Sequence, residues 1–433
     1  MKKFFGTDGI RSKGSFFLKN DFAYRVGRAI AKTFSIKEIV IGCDTRQSSI
    51  PIVNEISDGL RSLGVDVYFQ EHATTPMISY YSKNKQLIGI MITASHNPFH
   101  DNGIKIINKG FKTTDEEELQ IESYLEETYS RTDLKGSFIV TDQPMSLYLD
   151  FFKSLDLGSI KMNVAIDCAH GASYVVAQKI INTYLPNTTA YNVTPDGKNI
   201  NEGVGSTHLN FLQSIIHHHE IGFALDGDAD RCLFVDKSGK MIDGDMMMFI
   251  FATYMKKHGL LKSDHVVLTK MSNPGILKAF KNENIHYSLT DVGDKHVKRE
   301  MDQFGYTLGG EASGHIILQH LMHSGDGLLM GLYILKILTE EQTTLEQYLS
   351  KISTYPFKMI NIKNVDKNVL KSIDVQELTK EIEAIFNEDY LILIRPSGTE
   401  PLVRVTMSHK DETLLDQQIN RMVDLIKQKG EIV

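Results

Sequence analysis

The sequence predicts an α/β protein in four parts: three similar α/β domains with mixed, mainly parallel sheets, then a smaller C-terminal α+β domain. Three observations carry this expectation. At 433 residues the chain is too long for one ordinary domain. A strand–helix–strand plan recurs three times, each time closing on a polar loop of small residues. From residue 360 onward the pattern changes to two helical periodicities around two strands.

Each element follows from its local pattern. In the first unit, residues 39–44 and 65–69 are apolar strands around a helix that runs to about 63. A third apolar run, 87–92, ends at Ala94-Ser95-His96, where Asn97-Pro98 stops regular structure. In the second unit, 163–167 is a strand, a helix starts at 172, and a strand follows near 190–192. Its third run, 221–225, ends at Asp226-Gly227-Asp228. The third unit has strands at 265–269 and 285–288 around a helix near 275–280, and a short strand at 306–308 that ends at Gly309-Gly310-Glu311. In the tail, helices at 375–386 and 414–426 flank strands at 390–395 and 402–405. Breaks are expected near 142–146, 256–263 and 356–364, giving domains 1–143, 144–257, 258–360 and 361–433. The last break is also the expected hinge.

Composition narrows the function classes. Hydrophobic content of 42% and charged content of 23% are those of a globular protein with an ordinary core. A net charge of −7 counts against a general nucleic-acid binder but not against small anionic substrates, which a local cationic pocket can hold. Cys43, Cys168 and Cys232 are odd in number and form no CxxC pair, so neither a disulfide framework nor a zinc site is expected. The first residues lack the apolar core of a signal peptide, and no run of 18 apolar residues occurs, so no membrane partner is expected. A cytoplasmic monomer or homodimer fits these features.

Four loops carry chemistry. Ser95 arrives on a turn at the carboxyl end of a strand, where open α/β sheets hold ligands, but a serine hydroxyl needs a base or a metal to react. Asp226, Asp228 and Asp230 alternate on a loop and can converge on one hard cation such as Mg²⁺, with Arg231 tempering the charge and able to grip a phosphate. A calcium EF-hand is excluded, because its glycine and glutamate positions would be Arg231 and Lys237. Gly309-Gly310-Glu311-Ala312-Ser313-Gly314-His315 combines backbone freedom with side chains suited to sugar hydroxyls. Arg395-Pro396-Ser397-Gly398-Thr399 resembles a phosphate cradle, with Arg404 on the next strand as a second cation. The Asn102-Gly103 pair is a hairpin signal that would fold Lys105 back over the serine. A nearby metal and a second cation would lower the pKa of Lys105 toward proton transfer. His217-His218-His219 reads as a surface segment.

Together these motifs resemble the α-D-phosphohexomutase superfamily over essentially the whole chain. The order is a serine loop at Ser95-His96-Asn97-Pro98, a DGDxDR metal loop at Asp226 to Arg231, a sugar loop at Gly310 to His315 and a phosphate loop at Arg395 to Pro401. Phe5-Gly6-Thr7-Asp8-Gly9-Ile10-Arg11, Asn199-Ile200-Asn201, Gly205-Ser206-Thr207-His208 and Val292-Gly293-Asp294 are similar to the amino-sugar branch. Val204 departs from that branch's usual cysteine, Ala312 from its glutamine and Pro396 from a common lysine, while Met91-Ile92-Thr93 reads more like the mannose and glucose branch. The resemblance implies reversible phosphoryl transfer through phospho-Ser95 and a 1,6-bisphosphate, which interconverts a hexosamine 6-phosphate and 1-phosphate. It implies one Mg²⁺ per chain on Ser95, Asp226, Asp228 and Asp230, and a hexose or hexosamine 1,6-bisphosphate as activator. By resemblance Lys105 is the general acid/base, with His96, Arg11 and Arg231 around the serine. Glu311, Ser313 and His315 would hold the sugar. Arg395, Ser397, Gly398, Thr399 and Arg404 would hold the phosphate that is not reacting.

Overall fold

The computed structural model describes residues 2–396 and 402–430. Its contacts divide into two compact units, Met1–Gly244 with Ser313–Leu345, and Asp245–Ala312 with Glu346–Val433.

The first unit contains two sheets. One has eight strands, in the order Phe5–Gly6, Gly9–Lys13, Asp101–Asn108, Ile88–Ile92, Glu38–Cys43, Asp66–Gln70 and Phe138–Val140, with Phe111–Lys112 paired to Asp101–Asn108. Glu38–Cys43 runs parallel to both neighbours, and every residue of Ile88–Ile92 is buried. A strand covered on both faces reads as a continuous apolar run, which is why this stretch was plain in the sequence. Helices Phe22–Phe34 and Ser49–Arg61 pack on this sheet, and Val26, Ile30, Ile52, Val53 and Ile56 meet Ile39, Ile41 and Ile90 in its core. The other sheet runs Thr188–Tyr191, Val164–Asp167, Ile221–Leu225, Cys232–Asp236, Met241–Ile242, with the first three strands parallel. Helix Gly327–Glu340 lies against it, and Gly331 faces the Phe223 ring.

In the second unit, His265–Thr269 pairs in parallel with His286–Thr290 and with Leu308–Gly310. The C-terminal part is an antiparallel sheet, Phe357–Lys363, Leu402–Ser408, Leu391–Pro396. Helices Ile373–Phe386 and Glu412–Lys429 supply Ile382, Phe386, Ile419 and Met422 to a core with Val403, Val405 and Met407. Ser372 and Asp411 cap the two helices through the backbone N–H groups of Val375 and Leu414.

Three local expectations are corrected. Asn102 and Gly103 form no turn, because they lie inside the strand Asp101–Asn108. The strand Phe357–Lys363 was not read from the sequence, because its exposed, alternating side chains leave no apolar run. The third unit's short strand starts at Leu308 and takes in both glycines, two residues later than its apolar pattern suggested. His219 is not a surface residue: it is buried, its Nε2 2.9 Å from Tyr191 Oη and its Nδ1 2.7 Å from Asn163 Oδ1.

Candidate active site

The serine loop is the connection between two antiparallel strands, Ile88–Ile92 and Asp101–Asn108. Their register sets Met91 opposite Lys105, so strand pairing and not a tight turn delivers the lysine. Gly103 has to be glycine, since a Cβ there would lie 2.4 Å from Thr93 O. Ser95 is fully buried and has φ +53°, the left-handed region that serine rarely adopts. Its N–H donates to Thr93 Oγ1 at 2.9 Å, and its hydroxyl donates to Asp226 Oδ2 at 2.6 Å. His96 Nδ1 stands 3.4 Å from Ser95 Oγ, at the long end of hydrogen-bond reach. Burial, with Arg231 and Arg11 nearby, pushes His96 down to about 4, so its ring is neutral at pH 7.

The metal loop joins Ile221–Leu225 to the antiparallel strand Cys232–Asp236. A Cβ on Gly227 would sit 2.6 Å from Ser95 O, so glycine lets the two loops touch. Asp226, Asp228 and Asp230 are buried, and one oxygen of each lies within 4.8 Å of the others. Asp228 Oδ2 accepts from Lys105 Nζ at 2.7 Å and from Thr75 Oγ1 at 2.5 Å, and Asp230 Oδ2 accepts from Lys105 at 3.1 Å. Among the described residues, Asp228 Oδ1 and Asp230 Oδ1 have no hydrogen-bond partner. Burial, then repulsion from Asp230 and Asp228, holds the Asp226 carboxyl well above the usual range. Burial works the same way on Asp230, but Lys105, His315 and Arg231 outweigh it and hold that carboxyl low. Three buried carboxylates with two unsatisfied oxygens fit a small hard divalent cation such as Mg²⁺.

Lys105 is buried, and burial alone would lower its pKa. Asp228, Asp230 and Asp8 instead raise it well above its ordinary value. This is opposite to the expected lowering, because the sequence pattern did not reveal three carboxylates around one ammonium. Asp8 contacts Lys105 at 3.1 Å, Lys112 at 2.5 Å and also Arg11. Burial lowers the pKa of Arg11 too, but Asp8 and Asp228 raise it overall. Arg231 donates its backbone N–H to Asp226 Oδ1 at 3.3 Å, and its Nε lies 3.8 Å from Asp230 Oδ1.

Of the sugar-loop residues, Ser313 and His315 belong to the same unit as Ser95. Among the described residues Ser313 Oγ is buried without a hydrogen-bond partner, and His315 Nδ1 lies 3.7 Å from Asp230 Oδ1, too long for a hydrogen bond. Glu311, Arg395 and Arg404 belong to the other unit. Glu311 Oε1 accepts from Gly293 N at 2.9 Å, at the start of helix Asp294–Phe304. Arg395 and Arg404 face each other across paired strands. Burial and then Arg404 lower the pKa of Arg395, and among the described residues its Nε has no hydrogen-bond partner. Like charges directly opposite in a sheet are destabilising, which suits a pair that meets an anion. Ser397, Gly398 and Thr399 lie outside the described residues.

Sequence reasoning assigned no role to Asp8, Thr75, Asp44, Arg46 or Asn201. Asp44 and Arg46 do follow the strand Glu38–Cys43 at its carboxyl end, and that position was the available signal.

Sequence profiles of the four phosphoglucomutase/phosphomannomutase domains match in order. The alpha/beta/alpha domain I matches residues 2–132, domain II 146–239, domain III 243–355 and the C-terminal domain 359–425. The chain belongs to the phosphoglucomutase/phosphomannomutase family. Within it, the chain is 37% identical to a phosphoglucosamine mutase of Lachnospira eligens, with all of both chains covered. It is 38% identical to one of Bacillus velezensis, with 99% of each covered. Among solved structures of this fold, a phosphoglucomutase/phosphomannomutase family protein of Burkholderia thailandensis superposes with TM-score 0.79 at 22% identity, covering 99% of this chain and 98% of that one. The N-acetylphosphoglucosamine mutase of Aspergillus fumigatus, in complex with GlcNAc-6P and magnesium, superposes with TM-score 0.71 at 18% identity, covering 99% and 96%. Among the described residues, no helix is long and apolar enough to cross a membrane.

Proposed function

We propose that the chain is a phosphoglucosamine mutase, an isomerase that interconverts glucosamine 6-phosphate and glucosamine 1-phosphate and so feeds UDP-N-acetylglucosamine and cell-wall precursor synthesis. One observation carries the mechanism: the Ser95 hydroxyl is held 2.6 Å from Asp226, at a buried cluster of three aspartates. The two relatives named above, alike over their whole length, support the amino-sugar substrate.

Ser95 carries the phosphoryl group. In the first half-reaction the C1 hydroxyl oxygen of glucosamine 6-phosphate bonds to phosphorus as the bond from phosphorus to Ser95 Oγ breaks. The product of this half is glucosamine 1,6-bisphosphate. Lys105, held as an ammonium, gives a proton to the departing Ser95 Oγ and regains one from the attacking hydroxyl, so the proton count balances. After the bisphosphate reverses in the site, Ser95 Oγ takes the 6-phosphoryl group and returns the proton. Mg²⁺ on Asp226, Asp228, Asp230 and an oxygen of phospho-Ser95 would offset charge on the transferring group. Arg11, Arg231 and His96 line this site. Glu311, Ser313 and His315 hold the sugar hydroxyls in either orientation. Arg395, Arg404 and the 397–399 loop anchor the distal phosphate, the contact that must tolerate reversal. A hexose or hexosamine 1,6-bisphosphate serves as activator. The four-domain division, a cytoplasmic address and a monomer or homodimer complete the reading.

The test is a kcat/KM panel on glucosamine 1-phosphate, glucose 1-phosphate and mannose 1-phosphate, run on wild type and Ser95→Ala. Glucosamine phosphate is expected to be best, with the variant inactive. Intact mass should reveal a wild-type fraction about 80 Da heavy that the variant lacks. A better rate on mannose or glucose phosphate would move the protein to that branch, which Met91-Ile92-Thr93 resembles. Turnover by Ser95→Ala would remove the phosphoserine mechanism.

A further inference from the structure

We propose that Arg46, fixed by Asp44, is a positioning residue for phosphoryl transfer: it clamps the backbone of the serine loop from inside and so aims Ser95 at the aspartate cluster. The proposal rests on Ser95 being the phosphoryl carrier. Arg46 and Asp44 have fully buried side chains and form an ion pair, Nε to Oδ2 at 2.8 Å. The other four N–H groups of the guanidinium all go to carbonyls of one loop. Nη2 donates to Ser95 O at 2.8 Å and Asn97 O at 2.9 Å. Nη1 donates to Pro98 O at 2.5 Å and Asp101 O at 3.1 Å. All five donors of the fork are thus used, and a lysine, with three donors at one point, could not replace them.

The clamp closes on itself through two further side chains. Asp44 Oδ2 also accepts from Thr93 Oγ1 at 2.7 Å, and that hydroxyl oxygen accepts from Ser95 N at 2.9 Å. On its other side the loop meets Asn201, whose Nδ2 donates to the same two carbonyls, Ser95 O at 2.9 Å and Asn97 O at 3.2 Å. The peptide on each side of Ser95 is therefore tied down. This is what holds the residue at φ +53° with its hydroxyl on Asp226. A strained conformation persists only where its surroundings over-determine it. These contacts end on the loop backbone or on one another, so their effect passes through the position of Ser95 Oγ.

The test uses the full-length chain as Arg46→Lys, which keeps the buried charge opposite Asp44, and as Asn201→Ala, which removes no charge. Circular dichroism and thermal melting establish folding. Rapid mixing of the phosphorylated protein with glucosamine 6-phosphate reads loss of phosphate from Ser95 by intact mass. The expected result is a transfer rate and kcat reduced about 10- to 100-fold in Arg46→Lys, with KM within about twofold of wild type. Asn201→Ala should be affected in the same sense and less. The two effects should be non-additive in the double variant, because they share two acceptors. Folded Arg46→Lys with a wild-type transfer rate, or a KM that rises in step with a fall in kcat, overturns the proposal. If Arg46→Lys does not fold, Asn201→Ala decides alone by the same criteria. Failure of the underlying reading looks different: wild type would carry no phosphate on Ser95 and Ser95→Ala would still turn over.

Discussion

Asp228 concentrates several demands in one side chain. Its Oδ2 accepts from Lys105 and Thr75, while its Oδ1 is buried and unsatisfied. Such an arrangement is costly unless a cation completes it. Treatment with EDTA is therefore expected to abolish turnover, and added Mg²⁺ to restore it. Asp228→Asn should lower kcat about 100-fold and raise the Mg²⁺ concentration needed for half activity. Unchanged metal dependence in this variant would separate the aspartates from the cation. Thr75→Val removes only the outer support and should weaken Mg²⁺ about tenfold.

Helix Gly327–Glu340 begins with Asp326, which caps Leu329 N at 3.0 Å and accepts from Tyr148 Oη at 2.6 Å. Burial outweighs these bonds and raises its pKa from 3.8 to about 6. Between those values the folded protein holds a proton that the unfolded chain releases. The contribution of this group is thus full below about 4 and is lost as pH rises through about 6, a span of at most about 3 kcal/mol. Asparagine keeps the cap without titrating. Asp326→Asn should therefore gain on wild type between pH 4.5 and 7.5 in urea unfolding. An equal difference at both pH values would place the titration elsewhere. At the strand pair Leu391–Pro396 and Leu402–Ser408, the facing Arg395 and Arg404 make a second element-scale prediction. Inorganic phosphate or glucosamine 6-phosphate should raise the melting temperature of wild type more than that of Arg395→Gln, and the variant's KM should rise about tenfold or more. Equal shifts in both proteins would remove these arginines from phosphate binding.

Across the whole molecule the three thiols are buried. Burial pushes the thiol pKa of Cys168 up to about 12 and raises those of Cys43 and Cys232 as well. Native protein should not react with a thiol reagent at pH 8, whereas three equivalents should react after denaturation. Saturating sugar phosphate should slow the approach to three equivalents in mild denaturant, because ligand bound to the folded state lowers the unfolded fraction. Fast labelling of the native protein would show that these sheets open readily.

The sequence by itself determined the strand-and-loop plan, the order of the four motifs and the identity of Ser95, Asp226, Asp228 and Asp230. Those features are local: an apolar run marks a buried strand, and a DGDADR loop carries its three carboxylates within five residues. It expected an Asn102-Gly103 turn to carry Lys105 back over the serine, whereas both residues lie in a strand and Lys105 Nζ contacts Asp228 and Asp230. Only the tertiary structure decided that Lys105 is held as an ammonium by Asp8, Asp228 and Asp230, that Thr75 supports Asp228, and that Arg46 and Asn201 grip the serine loop from two sides. These partners lie tens to more than a hundred residues apart. A polar side chain shows no periodicity that reveals its partner, and its charge state depends on burial and neighbours that only folding supplies.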